Sequence, residues 1–581
     1  MTSKLLDVTL VRTPDQLTHV GQLLNDAIKD HAYIAVDIET PSQLSPYNEG
    51  ATILMIGICW DVNHAYVIPY EHPDSALPRL SVHTFLTDYL PRIRFVGQNT
   101  KFEVNWFATR GIVLSPSIDT MLLSHYGDER SPATLDSISQ RLFDAPPYGD
   151  GIDYTHEPLE SYARYCGLDC LYTLQAANKW EPYSHDTYYK FIMEISSAVA
   201  VMERQGFTLD VERTGKLEQD LLQEETEQLA RLPSSKKVNF NSPKQVAEWF
   251  IKQGVPLTET TPTGSLSVGK DALLYLQDYP LVAQYQNWKR THELVKKFTS
   301  KWPAFVGTDG KVRASYFPLT ETGRHRCSNP NIQQVPRDKR LRSCWVTSSP
   351  EYELVSWDVS QVELRMAAAI APERRMAQLF SEKTDIHTAT ATSLVGRPPS
   401  DEERTYAKYI NFGFLYGMGA PKFQQQVLKA YGRRVTLDEA RNARKTYFDT
   451  YPGLSSWHDN VLRQVLHDGY VRSIFGRTRH LPEALSPDPQ ISAHAQRSAI
   501  NFLVQSPAAD ITHAALVVAK TWELPIVATI HDSVLWEQPK GTGDTYAQRL
   551  LPAAMQILRD IFDWESEVPF EADWKIGEYW L

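Results

Sequence analysis

Four side chains spaced one helical turn apart, Arg404, Lys408, Phe412 and Tyr416, stand in the segment RTYAKYINFGFLYG. Steps of four residues rotate by only about 40° around an α-helix, so all four project from one broad face. That face reads cation, cation, aromatic, aromatic, and it runs into Gly417 and Gly419. Such a stripe can catch phosphates at one end and stack a flat ring at the other, as a nucleoside triphosphate requires. The same spacing also describes an amphipathic helix with a solvated basic edge and two core aromatics.

Carboxylates supply the second chemistry. In VDIET, Asp37 and Glu39 lie two apart on a predicted strand and point to one face. A fixed carboxylate pair is how hard cations such as Mg²⁺ are held. GQNTKFEVNW offers Glu103, and YARYCGLDC offers Tyr165 and Asp169, four apart on a predicted helix. Four acids suffice for two metal ions, the arrangement that cuts phosphodiesters, and the tyrosine could orient a water. The bland alternative is a solvated strand end beside an ordinary surface helix. In the second half, SWDVSQVELR sets Asp358 at a strand end, with Glu363 and Arg365 following; PIVATIHDSVLWE sets His531 and Asp532 in a strand–turn–strand. Only folding could unite Asp358 with Asp532 as a second metal site, and separately each reads as a turn aspartate.

The elements that must position these groups change along the chain. YIAVDIET, ATILMIGICW, HAYVIPY and RFVG read as strands, followed by helical LDSISQRLF and ESYARYCGLDCLYTLQAANKW, so the first third is α/β. Near residue 185 long helices begin, and from about 318 short strands return around a mostly helical insertion at roughly 371–489. No internal repeat or low-complexity tract is present. At 581 residues the chain should hold several domains. No signal peptide and no run of ~18 apolar residues is evident, and five scattered cysteines read as free thiols in a reducing cytoplasm. Net charge is −11, yet from Lys289 to Arg342 thirteen cations face four acids, a local stretch able to track a phosphate backbone.

The ordered segments DIE, NTKFE and YxxxD resemble the three motifs of a DEDD-type 3′–5′ exonuclease of the tyrosine variant. DxSxxELR, Rx3Kx7YG and HD resemble motifs A, B and C of family A (DNA polymerase I-like) DNA polymerases. TETGRHRCSNPNIQQVP, GYVRSIFGRTRHLP and RSAINFLVQSPAADI are similar to further segments of that family, so the likeness covers essentially the whole chain. It implies an α/β and α+β multidomain fold: a ribonuclease H-like exonuclease domain (1–185), then a right-hand polymerase with thumb (186–318), palm (319–370 and 490–581) and fingers (371–489). It implies template-directed DNA synthesis from dNTPs by two-metal phosphoryl transfer, with proofreading. Asp358 and Asp532 would hold two Mg²⁺ ions, with Mn²⁺ able to substitute. Arg404 and Lys408 would bind the triphosphate, Lys408 also giving a proton; Phe412 would pack on the incoming sugar and base; Tyr416 would border the template position. Glu363 would be the gate against a ribose 2′-hydroxyl. Arg324, Arg497, Asn501, Gln505 and His531 would touch the primer–template, where minor-groove acceptors recur in every base pair. In the nuclease, Asp37, Glu39, Glu103 and Asp169 would ligate metals while Tyr165 positions the attacking water on a single-stranded 3′ end.

Three departures are visible: Glu103 where aspartate is usual, Ser533 after HD where glutamate is frequent, and Gln334 where asparagine is common. The first makes a polymerase with weakened or absent editing the alternative reading. A catalytically silent DNA-binding subunit is opposed by both polymerase aspartates and Lys408, and a single-subunit RNA polymerase by Glu363 and the nuclease motifs. With only 36 residues before Asp37, a 5′-nuclease domain is expected to be missing, which is phage-like. A monomer without membrane contact is expected.

Overall fold

The computed structural model describes residues 6–41, 45–149, 158–233, 238–317 and 320–581. Its first sheet has six strands, in spatial order Asp7–Leu10, His64–Pro69, Met55–Asp61, Tyr33–Glu39, Arg94–Gly97 and Pro116–Asp119. Met55–Asp61 runs antiparallel to both its neighbours, whereas Tyr33–Glu39 pairs parallel with Arg94–Gly97. Two strands escape the sequence expectation, Asp7–Leu10 and Pro116–Asp119, each four residues long at an edge of the sheet. On one face Leu17, Val20, Leu24, Val82, Phe85 and Leu86 bury against the sheet. The helix Leu159–Ser184 covers the other face, and its approach is close. A Cβ added at Gly57 would lie 2.6 Å from the Cys170 Sγ and 3.0 Å from the Cys166 Sγ. Glycine is therefore required on the strand opposite Asp37, with which it is in register.

The second large sheet is antiparallel, in the order Ile526–Ile530, Ser533–Pro539, Tyr352–Val359 and Ala572–Gly577. Trp357 and Trp536 are fully buried in it, and the Trp357 indole N–H donates to the Ala547 carbonyl at 3.2 Å. Helices Pro489–Thr521 and Thr545–Phe562 pack behind it. Pro489–Thr521 is long and apolar enough on average to cross a bilayer, but 89% of its apolar window is buried inside the protein, as in a core helix.

Between the second sheet's strands lies the helical insertion, from Arg374–Ser381 to Pro452–Asp468, closed by the hairpin Tyr470–Arg472/Thr478–His480. Its helix Asp401–Leu415 opens with a capping box: the Ser400 hydroxyl accepts from the Glu403 N–H, and the Glu403 carboxylate accepts from the Ser400 N–H. A separate aromatic core (Phe240, Trp249, Phe250, Tyr285, Trp288) holds part of the 186–318 segment together. Phe207–Leu209 pairs within that segment with Lys311–Val312 and ties it to the following part of the chain by pairing with Trp345–Val346.

Buried polar contacts join the first third of the chain to the rest. The Lys101 Nζ donates to both Glu203 oxygens at 2.8 and 3.0 Å, and the Tyr316 N–H donates to the same carboxylate at 2.6 Å. The stability of the second sheet is testable. Trp357→Ala removes a fully buried indole and leaves a cavity, so the denaturant midpoint should fall by the equivalent of about 3–5 kcal/mol; a fall under 1 kcal/mol would contradict this packing.

Candidate active sites: two carboxylate clusters

Strand register builds the first cluster. Ile530 pairs with Ser533, leaving His531 and Asp532 as a two-residue turn with His531 at φ +55°. Ser533 lies opposite Asp358, so the turn sets Asp532 just beyond Asp358 at the sheet end. The Ser533 hydroxyl donates to the Asp358 Oδ1 at 3.1 Å, filling part of the space a glutamate would take. On the far side Asp573 is also in register with Asp358 and raises its pKa. Burial pushes both Asp358 and Asp532 upward, and for Asp532 the Arg324 guanidinium opposes that shift while Glu363 and Asp358 add to it.

Arg324 draws the cluster together. Its Nη2 donates to Glu363 Oε1 at 2.5 Å and to Asp532 Oδ1 at 3.4 Å. The Tyr416 hydroxyl donates to the other Glu363 oxygen and also meets Gln505. Burial and the Glu363 charge raise the Tyr416 phenol well above its usual range, so it stays a neutral donor. Arg404, Lys408 and Phe412 lie on Asp401–Leu415 as expected, whereas Tyr416 is its C-cap residue, just past the last helical turn. Gly417 follows at φ +68°, where a Cβ would sit 3.2 Å from Ile500. Arg497, Asn501 and Gln505 project from Pro489–Thr521; Arg497 is exposed, and the Asn501 Oδ1 is buried without a partner.

The cationic end of the stripe differs from a free basic edge. Arg404 is held by Asp385, Nη2 to Oδ2 at 2.6 Å and Nε to Oδ1 at 3.2 Å, and Lys408 is exposed. Burial works against the Asp385 carboxylate, but hydrogen bonds from Arg404 and Thr388 outweigh it and bring the pKa to about 2. Sequence reasoning missed His387, buried beside Asp385 with its ring 6.0 Å from that of Phe412 and its Nδ1 bonded to the Asn411 amide at 2.8 Å. Burial drops its pKa to about 4, so it is neutral at pH 7. The sequence signal was DIHTA, an N-cap aspartate two residues before a histidine. Within the basic stretch before residue 342, Arg313 pairs with Asp309 at 2.6 Å, Arg340 with Asp338 at 2.9 Å and Lys297 with Glu293 at 3.1 Å.

The second cluster sits at the end of the first sheet. Asp37 and Glu39 project from Tyr33–Glu39, Asp169 from the covering helix, and Glu103 from the first turn of Lys101–Ala108. Burial raises all four carboxyls, mutual repulsion adds to it for Asp37, Glu39 and Glu103, and Asp169 reaches about 7. The Tyr148 hydroxyl donates to Asp169 Oδ1 at 2.7 Å, and Tyr165 bonds the same carboxylate. Tyr148 was not anticipated, nor was Asp119, which accepts from the backbone N–H groups of Asn99, Thr100, Met121 and Leu122. Asp119 thereby fixes the turn that leads into the Glu103 helix. The Glu103 Oε2 is buried without a partner. A crowd of buried, mutually repelling oxygen donors with an orphan among them fits divalent cations. At the first cluster Asp358, Asp532 and Glu363 form a comparable all-oxygen set.

Residues 211–581 match the family described as DNA polymerase family A, and residues 9–182 match a 3′–5′ exonuclease family. The chain belongs to DNA polymerase family A. It is 27% identical to DNA polymerase I of Rhizobium leguminosarum over 87% of this chain and 52% of that protein. The DNA polymerase I of Chloroflexus aurantiacus is 27% identical over 99% of this chain and 63% of that one. The thermostable DNA polymerase I of Thermus thermophilus is 30% identical over 81% and 56%. The chain therefore spans about half to two thirds of the length of these relatives. Among solved structures, the POL domain of Pol1 from M. smegmatis in complex with DNA primer-template and dNTP superposes with a TM-score of 0.81 at 22% identity, covering 99% of each chain. The fold is thus a ribonuclease H-like exonuclease domain joined to a right-hand polymerase. The exonuclease match spans Asp37, Glu39, Glu103 and Asp169 and does not favour the reading of weakened editing.

His387 gives a pH prediction for this family A fold. A histidine whose folded pKa is depressed to about 4 binds its proton only in the unfolded state between pH 6.5 and 4. Its contribution to stability is therefore present above 6.5 and lost as the pH falls towards 4. Between pH 7 and 5 that loss is about 2 kcal/mol. His387→Asn should shrink the drop in urea midpoint between pH 7 and 5 by that amount; an unchanged drop would show that His387 is not held neutral.

Proposed function

We propose that this chain is a template-directed DNA polymerase that adds dNTPs to a primer 3′ end and removes mispaired 3′ nucleotides at a separate exonuclease site. The hairpin register that sets Asp532 beside Asp358, with Glu363 tied to both Tyr416 and Arg324, carries the reading. The proposed domains are the exonuclease at 1–185, thumb at 186–318, palm at 319–370 and 490–581, and fingers at 371–489. Breaks near 185, 370 and 489 fall at helix ends, and the boundary at 318–319 lies outside the described residues.

Asp358 and Asp532 would hold Mg²⁺ in the polymerase site, and Asp37, Glu39, Glu103 and Asp169 would hold it in the nuclease site. A pair of such ions per site, with Mn²⁺ able to substitute, supplies activation of the attacking oxygen and neutralisation of the leaving one. The remaining work falls to the chain. Lys408 meets the triphosphate and is placed to give the departing pyrophosphate a proton. Arg404 joins it by exchanging Asp385 for phosphate, while neutral His387 can donate without adding charge. Phe412 stacks against the incoming sugar and base. Glu363 excludes a 2′-hydroxyl, and because Tyr416 and Arg324 each hold one of its oxygens, it cannot swing aside to admit one. Arg324, Arg497, Asn501, Gln505 and His531 face the primer–template, where universal minor-groove acceptors test pairing without reading sequence. In the nuclease site Tyr165 and Tyr148 fix Asp169, and Tyr165 orients the water that attacks the single-stranded 3′ end. The partners are primer–template DNA and dNTPs; a monomer in the cytoplasm, that of a bacterial host if phage-encoded, completes the reading.

Primer extension on matched and mismatched 3′ ends tests both activities. Asp358→Ala should abolish extension, by at least about a thousandfold, and keep 3′ degradation. Asp37→Ala should do the reverse, and persistent degradation in that variant would sink the nuclease assignment. Glu363→Ala should raise ribonucleotide incorporation relative to deoxynucleotide, and an unchanged ratio would remove the gate.

A further inference from the structure

Cys166 lies one residue past Tyr165 and three before Asp169 on Leu159–Ser184, fully buried and on the same helical face as Asp169. Its Sγ and carboxylate oxygens of Asp37 and Glu39 all lie within 4.8 Å of one another. The close contact at Gly57 fixes where the thiol can sit. With no Cβ on the strand opposite Asp37, the helix descends until Cys166 and Cys170 touch the sheet. The thiol then hydrogen-bonds Asp37. An independent observation points to a ligand at this place: the Glu103 Oε2 is buried and unpartnered, and the charge acting on Glu103 most strongly is that of Asp37.

We propose that Cys166 is a metal-ligand position in the nuclease site, giving it a mixed carboxylate–thiolate donor set that takes a soft divalent cation of the Zn²⁺, Cd²⁺ or Co²⁺ class. The proposal rests on the nuclease reading for Asp37 and Glu39. Zn–S and Zn–O bonds of about 2.3 and 2.0–2.2 Å put tetrahedral donors roughly 3.5 Å apart, to be reached from separations of at most 4.8 Å in the metal-free protein. Binding exchanges the thiol proton, released to solvent, for the metal–sulfur bond. Mg²⁺ ignores sulfur, so the thiol adds nothing to its binding, whereas a thiophilic ion gains a ligand. The polymerase cluster has Ser533 beside Asp358 and only oxygen donors in Asp358, Asp532 and Glu363, so soft ions separate the two sites. The competing role for Cys166 is packing alone, a small side chain filling the gap over Gly57.

The metal-free full-length chain is titrated with Cd²⁺ and with Co²⁺, and thiolate-to-metal charge-transfer absorption is recorded. One saturating band is expected in the unmodified protein. Cys166→Ser should abolish it and weaken Cd²⁺ binding at least about tenfold, the loss that even an outer-shell change produces. Cys170→Ser and Asp358→Ala should both retain the band. Cadmium NMR of the unmodified protein reads sulfur against oxygen ligation without any variant. An all-oxygen cadmium signal, or a band that survives Cys166→Ser, would overturn the proposal. Asp37→Ala separates the two readings: continued 3′ degradation refutes the nuclease assignment, while loss of degradation without any sulfur band in the parent protein refutes only the thiol ligand.

Discussion

Carboxylates forced together away from water repel one another, and both clusters exist only because rigid backbone holds the acids against that repulsion. Asp37, Glu39, Glu103 and Asp169 come from two helices and one strand; burial raises the pKa of each, and neighbouring carboxylates add to it for Asp37, Glu39 and Glu103. Burial raises Asp358 and Asp532 as well, opposed at Asp358 by the Ser533 hydroxyl and Arg337 and at Asp532 by Arg324. Such an arrangement is costly to the isolated protein and becomes favourable once cations arrive. The metal requirement proposed for both sites is thus the same fact as the strain in the protein without metal.

The scaffolds that impose this crowding differ. At the polymerase cluster it is hydrogen-bond register: a one-residue slip between Tyr352–Val359 and Ser533–Pro539 would turn Asp358 to the other face and away from Asp532. The buried tryptophans Trp357 and Trp536 make that slip prohibitive, since it would expose both. In the nuclease half the fixed quantity is a helix–sheet distance, set by Gly57 on one side and by two small thiols on the other. Buried groups then fasten one half to the other. Lys101 is two residues from Glu103 and is paired with Glu203 and hence with Tyr316. Tyr188 donates to Asp510 at 2.9 Å and accepts from Arg477 at 2.9 Å, linking three distant segments. The helix that presents Glu103 is therefore anchored to the polymerase side of the molecule.

Much of this was legible in sequence because spacing is geometry. The two-residue step of Asp37 and Glu39 and the four-residue step of Tyr165 and Asp169 predict shared faces, and the elements formed as expected. Apolar residues marked the central strands, RFVG included, while the edge strands Asp7–Leu10 and Pro116–Asp119, DVTL and PSID, carry too few apolar residues to register. Tertiary groups without a local pattern were hidden. Tyr148 reaches Asp169 from a loop, Asp573 meets Asp358 only through sheet register, and Asp119 acts through backbone N–H groups that no sequence spacing reports. Charge counting gave the balance between Lys289 and Arg342 but not the pairing: Arg313, Arg340 and Lys297 meet Asp309, Asp338 and Glu293.

Glu363 shows why a selective site is better built from a satisfied network than from bulk alone. A lone glutamate beside the incoming sugar has several rotamers, and a ribose 2′-hydroxyl could displace it by offering a hydrogen bond in exchange. Here one oxygen accepts from Arg324 and the other from Tyr416, a phenol that burial keeps protonated. Moving the carboxylate would break two hydrogen bonds, one of them charge-assisted, and leave the phenol with Gln505 alone and the guanidinium with its 3.4 Å contact to Asp532. Arg324 also reaches Asp532, so the residue proposed to choose the sugar and a residue proposed to hold the metal share one cation. Sugar selection and metal placement are then coupled electrostatically, and a change at either alters the field felt by the other.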